Sequence, residues 1–286
     1  MKLFKSILFI IIFSFPGISC TQPDNIVDAE ILQSKFRLAI EKNLNSKPIS
    51  EIITEIGKSF TGAAYIAHSL DINDEEKLVI NLREFDCTTF TESVLSISRC
   101  IKKNELTFEA FKNELRFIRY RGGVIDEYPS RLHYFSDWIY DNQIKGVVKD
   151  ITGELGGVKF KPELNFMSRH PKYYRQLESN KQFIDKIRKQ ESEISERYYS
   201  FIPKSQVKRI EEKILDGDII AFTTNIEGLD IAHLGIAVKD EKGIIHLLHA
   251  SQPGMPVYIT EKNLTDYINS VPKFTGIMVV RPLEIK

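Results

Sequence analysis

Cysteine is scarce in this chain. Cys20, Cys87 and Cys100 are its three cysteines in 286 residues, and none has CxxC spacing. Three thiols cannot build a disulfide framework, and without paired cysteines a cysteine-rich zinc site is excluded. The six histidines form neither an HxxxH nor an HExxH unit. A histidine-based zinc site therefore finds no ready ligand set, and no metal is assigned. Charge of one sign is lacking too: 39 basic residues cancel 39 acidic ones. No basic stripe follows, so nucleic acid is set aside as a partner. Internal repeats and low-complexity runs are also missing.

The one sustained apolar run is "SILFIIIFSF", after two lysines in "MKLFK" and before the small residues of "PGISC". It is too short to span a membrane comfortably and reads as a secretory signal over residues 1–19. Cys20 stands at the expected cleavage point. This predicts a bacterial lipoprotein acylated on Cys20, exported and held to a membrane on the periplasmic side or at the cell surface. An ordinary signal peptide with a chance cysteine is the alternative. Residues 20–30 read as a tether, and residues 31–286 as one domain.

Within that domain, residues 31–58 and "TFEAFKNELRFIRY" carry helical periodicity, and "KLVINLREF" (77–85) reads as a strand. From Cys87 onward the period is helical: Cys87, Phe90, Val94, Ile97 and Ile101 recur at three- and four-residue steps, with Asp86 as N-cap. The stretch 121–205 is irregular, aromatic and glycine-rich, then polar and helical, and reads as an insertion. After residue 213 come four strand patterns: "GDIIAFTT", "AHLGIAVKD", "GIIHLLHAS" and "FTGIMVVRPL". The class is α+β, with helices packed on a mostly antiparallel sheet.

Cys87 at a helix start is placed where N–H groups and the helix dipole stabilise a thiolate. A nucleophile also needs a base and an orienting group. His233 shares a strand face with Gly235 and Ala237, two small residues that leave room for an imidazole. His249 lies on the following strand. A three-residue "EKG" loop with Gly243 left-handed sets Asp240 opposite Ile244 and His249 opposite Gly235. The two histidines are then diagonal neighbours, about 7–8 Å apart at the backbone. This assigns Cys87 as nucleophile, His233 as base and His249 as its orienting group. The bland reading is a buried structural cysteine and two strand histidines.

"FDCTTF", "AHLGIAV" and "LLHAS" resemble the motifs of the papain-like NlpC cell-wall cysteine hydrolases, in matching order. "RLHYFSDWI", "DITGELGG", "FMSRHP", "YYSFIPK" and "GDIIAFTTNIEGLDIAHLGIA" extend the likeness. With them the chain resembles the bacterial N-acetylmuramoyl-L-alanine amidase-like lipoproteins over roughly residues 35–283. The resemblance implies a papain-like fold. It also implies hydrolysis of the amide between N-acetylmuramic acid and L-alanine in peptidoglycan fragments, with no cofactor. Two alternatives stay open: cleavage between γ-D-Glu and the diamino acid, and muropeptide binding without catalysis. The clan often carries a tyrosine in a Gly-x-x-Tyr loop that helps hold the oxyanion. "GAAYIAHS" places Tyr65 there, with His68-Ser69 where a double glycine is usual.

Arg131 and His133 in "SRLHYFSDW" are candidate substrate contacts, since a guanidinium suits a carboxylate, and a structural pair is the alternative. Asp230, three residues before His233, is a candidate for the substrate amine or else a loop cap. Glu92 reads as serving the first turn of the Cys87 helix. Cys100 and Trp138 read as core.

Overall fold

The computed structural model describes residues 26–285. The leader at 1–19, Cys20 and the first part of the tether lie outside the described residues. Residues 26–30 are not tether. They open helix α1 (Ile26–Glu41), because Asp28 is buried and accepts from the Leu82 amide and the Arg83 side chain, which docks that turn. Next come α2 (Ile49–Lys58), α3 (Cys87–Lys103), α4 (Phe108–Arg119) and α5 (Phe135–Ile144). On α3 the stripe Phe90, Val94, Ile97 and Ile101 is fully buried, each side chain contributing about 1.5–3 kcal/mol relative to exposure. On α2, Gly57 lets the helix approach the sheet. A Cβ there would lie 2.8 Å from the Leu248 side chain.

The strand expected over 77–85 is reduced to its end. Strand β2 (Glu84–Phe85) pairs in parallel with β1 (Ala64–Tyr65). Upstream, the Asn81 side chain accepts from the Arg83 and Glu84 amides, a local turn that competes with strand pairing.

The main sheet has eight strands: β3 (Val148–Asp150), β4 (Val158–Phe160), β5 (Tyr199–Pro203), β6 (Ile219–Thr224), β7 (Ile231–Lys239), β8 (Ile245–Ala250), β9 (Val257–Ile259) and β10 (Phe274–Pro282). Their order is β4-β5-β10-β6-β7-β8-β9, with β3 also on β10, and every pairing is antiparallel. β6, β7, β8 and β10 are the four strands legible in the sequence. Strands β3, β4 and β9 have three residues each, too few to show a period of two. The class is thus α+β, with the sheet extending further into residues 121–205 than expected.

Alternation along β7 sorts side chains to two faces. Leu234, Ile236 and Val238 join one core with α1–α5. Ala237 joins a second core with Leu247, Phe222 and Leu264. Five further helices complete the described chain: α6 (Phe166–Arg169), α7 (Arg175–Glu178), α8 (Lys181–Ser195), α9 (Val207–Ile210) and α10 (Leu264–Ser270). None of the described helices is long and apolar enough to cross a membrane.

Candidate active site

Cys87 is the first residue of α3 and is half-buried. A capping box sets the turn. The Asp86 carboxylate accepts from the Thr89 amide at 2.7 Å, and the Asp86 amide donates to the Thr89 hydroxyl at 2.9 Å. The Leu234 backbone and the Thr88 side chain lie close enough to the sulfur to favour its anion. Leu234 directly follows His233, so Cys87 lies near the strand that carries the proposed base.

These neighbours do not produce a resting thiolate. Burial, then the adjacent Asp86 carboxylate, push the Cys87 thiol up to about 12. The lowered pKa expected from the helix terminus is overruled, because desolvation penalises the anion more than the first turn stabilises it.

The β7–β8 hairpin sets the histidines. Asp240 and Ile244 flank a loop with Gly243 at φ 76°, and Ile236 lies opposite Leu248, the register that places His249 opposite Gly235. His233 Nε2 and His249 Nδ1 are 2.6 Å apart. Gly235 leaves room for a different group than expected: a Cβ there would lie 2.4 Å from the Leu247 side chain. Phe222, Phe274, Tyr258 and Tyr267 surround the pair. Burial, with His249 and Lys273 nearby, holds His233 well below the ordinary histidine range. Burial alone takes His249 down to about 4. Both rings are therefore neutral near neutral pH.

Cys87 lines a cavity of ≈ 340 Å³ together with Tyr65, His68, Asp71, Asp86, Glu92, Arg119, Tyr128, Arg131, His133 and Tyr174, among others, and neither His233 nor His249 lines it. Pairing of Tyr65 with Phe85 holds the tyrosine two residues from the nucleophile. Burial, Cys87 and Asp86 raise its hydroxyl pKa, so it stays a donor. Arg131 is a cavity residue, but its charge is already engaged. It meets Asp71 at 2.5 Å and Glu76 at 3.7 Å, and stacks over Tyr128. His133 Nε2 is 2.9 Å from the Tyr128 carbonyl, and burial and Arg131 take its pKa down to about 3.

Asp230 does not join this cavity. It is buried, and its carboxylate accepts from the Ser136 and Ile231 amides, both at 2.7 Å. That makes it a bracket between the start of α5 and β7, and it lines a separate cavity with Asn165, Thr223 and Gly228. Glu92 also differs from expectation. It accepts from Arg119 at 2.6 Å and from the Trp138 indole at 3.2 Å, across elements instead of within its own turn. Sequence reasoning missed Asp71, Glu76, Arg119, Tyr258 and Tyr267. Their partners lie 27 to 60 residues away along the chain for the charged pairs, beyond any local pattern. Among the described residues, no group of three His, Cys, Asp or Glu side chains gathers as a metal site.

A family model described as AmiA-like, N-acetylmuramoyl-L-alanine amidase-like, matches residues 55–277. The chain belongs to this family. Among solved structures, this AmiA-like chain is similar to an N-acetylmuramoyl-L-alanine amidase from Bacteroides uniformis, with 36% identity and a TM-score of 0.77, over 82% of this chain and 99% of the other. It is similar as well to a Bacteroides fragilis protein named a candidate xylanase, with 37% identity and a TM-score of 0.75, over 79% and 99% of the two chains. A Legionella pneumophila protein assigned to the family model DUF1460 shares the fold at 23% identity and a TM-score of 0.67, over 91% and 97%. No curated protein matches the sequence.

Proposed function

We propose that this AmiA-like chain is a papain-like cysteine amidase. In this reading it hydrolyses the amide between N-acetylmuramic acid and L-alanine in soluble peptidoglycan fragments. The observation that carries the reading is a cysteine in the first turn of α3, close to the Leu234 backbone of β7, the strand that carries a histidine paired with a second histidine. Membership of an amidase-like family and 36% identity to a named amidase support the substrate. A cavity of ≈ 340 Å³ suits a fragment better than intact wall.

The reaction starts from a neutral thiol and a neutral imidazole. As Cys87 Sγ bonds to the carbonyl carbon, its proton passes to His233 Nδ1, the nitrogen not engaged with His249. The carbonyl oxygen becomes an oxyanion held by the Cys87 N–H and the Tyr65 hydroxyl. His233 returns the proton to the L-alanine nitrogen, the C–N bond breaks, and the peptide leaves as a free amine. Water then attacks the thioester, giving its proton to His233. The lactyl acid departs and the thiol is restored. The raised thiol pKa and lowered histidine pKa account for the neutral resting pair, and charge is separated only when the carbonyl is in place.

The reading includes export and acylation of Cys20, which palmitate labelling of cells expressing the full chain tests against a Cys20→Ala variant. The activity is tested by mass spectrometry of muropeptides incubated with wild type and Cys87→Ala. An L-Ala-led peptide from wild type alone is expected. Release of a sugar still bearing L-Ala-γ-D-Glu would overturn the bond assignment in favour of the endopeptidase. No product from any stem length would leave binding without catalysis.

A further inference from the structure

His233 Nε2 and His249 Nδ1, 2.6 Å apart, share one hydrogen, so its position fixes the tautomer of both rings. If His233 holds it on Nε2, Nδ1 keeps a lone pair and can take the thiol proton. His249 must then carry its own proton on Nε2. If instead His249 holds the hydrogen on Nδ1, His233 is protonated on Nδ1 and cannot act as a base. The productive state therefore requires a protonated His249 Nε2. That atom is buried in a side chain with 0% exposure and has no hydrogen-bond partner. An N–H buried without an acceptor disfavours its tautomer, so something else near His249 must offset this.

What surrounds His249 is aromatic. Tyr258 is its cross-strand partner on β9, with ring centroids 4.9 Å apart and planes at 52°. Tyr267 of α10 stands nearly perpendicular, at 5.3 Å and 83°. Its ring also packs against Phe222 and Phe274. The negative face of an aromatic ring accepts an N–H. We propose that Tyr258 and Tyr267 are positioning residues whose rings accept the His249 Nε2–H and so keep His233 Nδ1 free for the Cys87 proton. This rests on reading Cys87 and His233 as the catalytic pair, but not on the identity of the substrate.

The test is nitrogen NMR of resting protein labelled with ¹⁵N-histidine, where protonated and bare ring nitrogens resonate far apart, with signals assigned through single His→Gln replacements. Wild type is expected to carry protons on Nε2 of both His233 and His249. Tyr267→Leu is expected to move the His249 proton toward Nδ1. If the productive tautomer falls to about a tenth, alkylation of Cys87 by iodoacetamide slows about tenfold. Tyr267→Phe, which keeps the ring, restores both readouts, whereas a purely space-filling role would leave the tautomer unmoved in either variant. Should Tyr267→Leu fail to fold, the wild-type spectrum still decides. A wild-type His249 protonated on Nδ1, or a Tyr267→Leu variant with unchanged tautomer and alkylation, overturns the proposal. Expected spectra with no muropeptide cleavage would overturn the substrate reading and leave this one standing.

Discussion

The two walls that meet at Cys87 solve burial in opposite ways. On the strand side, His233 and His249 sit among aromatic rings and are kept neutral by desolvation. On the helix-and-loop side, Arg131 with Asp71 and Arg119 with Glu92 keep their charges, each against a partner. The difference teaches where proton chemistry can occur. A group held neutral can gain or give a proton at modest cost, whereas a charge locked in an ion pair is a poor participant. In the proposed reading, chemistry belongs to the aromatic wall, and shape and recognition to the ion-paired one.

Breaking each wall should therefore fail differently. His233→Ala should lower kcat at least about 10³-fold while leaving the melting temperature within a few degrees, as read by muropeptide turnover and thermal scanning. Glu92→Ala should do the reverse. Its partner Arg119 has a side chain only 3% exposed, so removing the carboxylate strands a buried charge and costs about 3–5 kcal/mol of stability. Urea unfolding measures this. The double replacement Glu92→Leu with Arg119→Met should recover most of the loss. Tyr65→Phe, on the boundary between the walls, should cost about 10²-fold in kcat with little change in KM, as expected for one oxyanion donor.

The smallest effect per step is acid sensitivity. The native state keeps His233, His249 and His133 neutral, whereas the unfolded chain protonates them below about 6.5. Stability is thus complete above that pH and falls as pH drops through it. The loss is about 1.4 kcal/mol per pH unit for each histidine, ending near 4 for His249 and near 3 for His133. Asp230, whose carboxyl burial raises, acts in the opposite sense, its contribution being lost as pH rises above the ordinary aspartate range. Denaturation midpoints from pH 7 to pH 5 check the slope, and His249→Asn should flatten it by one histidine's share.

What was legible in the sequence were features with short-range causes. The stripe on α3, its Asp86 cap and the hairpin register at Gly243 each depend on residues close in the chain, and a register error of one residue would have separated the histidines. The fate of Asp230 was not legible, since its bond to the Ser136 amide closes 94 residues of chain. The burial that raises the Cys87 thiol was not legible either: the helix terminus is visible locally, whereas desolvation of the sulfur arises only from the folded packing around it.

Strand β10 sits between β6 on one side and β5 and β3 on the other, yet it follows all of them in chain order. The order of assembly is therefore constrained. Neither half of the sheet can close on itself, and the earlier strands wait for the one that bridges them. Contacts of such long sequence separation make folding slow. For a chain whose proposed reading includes export, this delay would have a use. A polypeptide that cannot complete its sheet until Phe274–Pro282 has emerged remains threadable through a translocation channel.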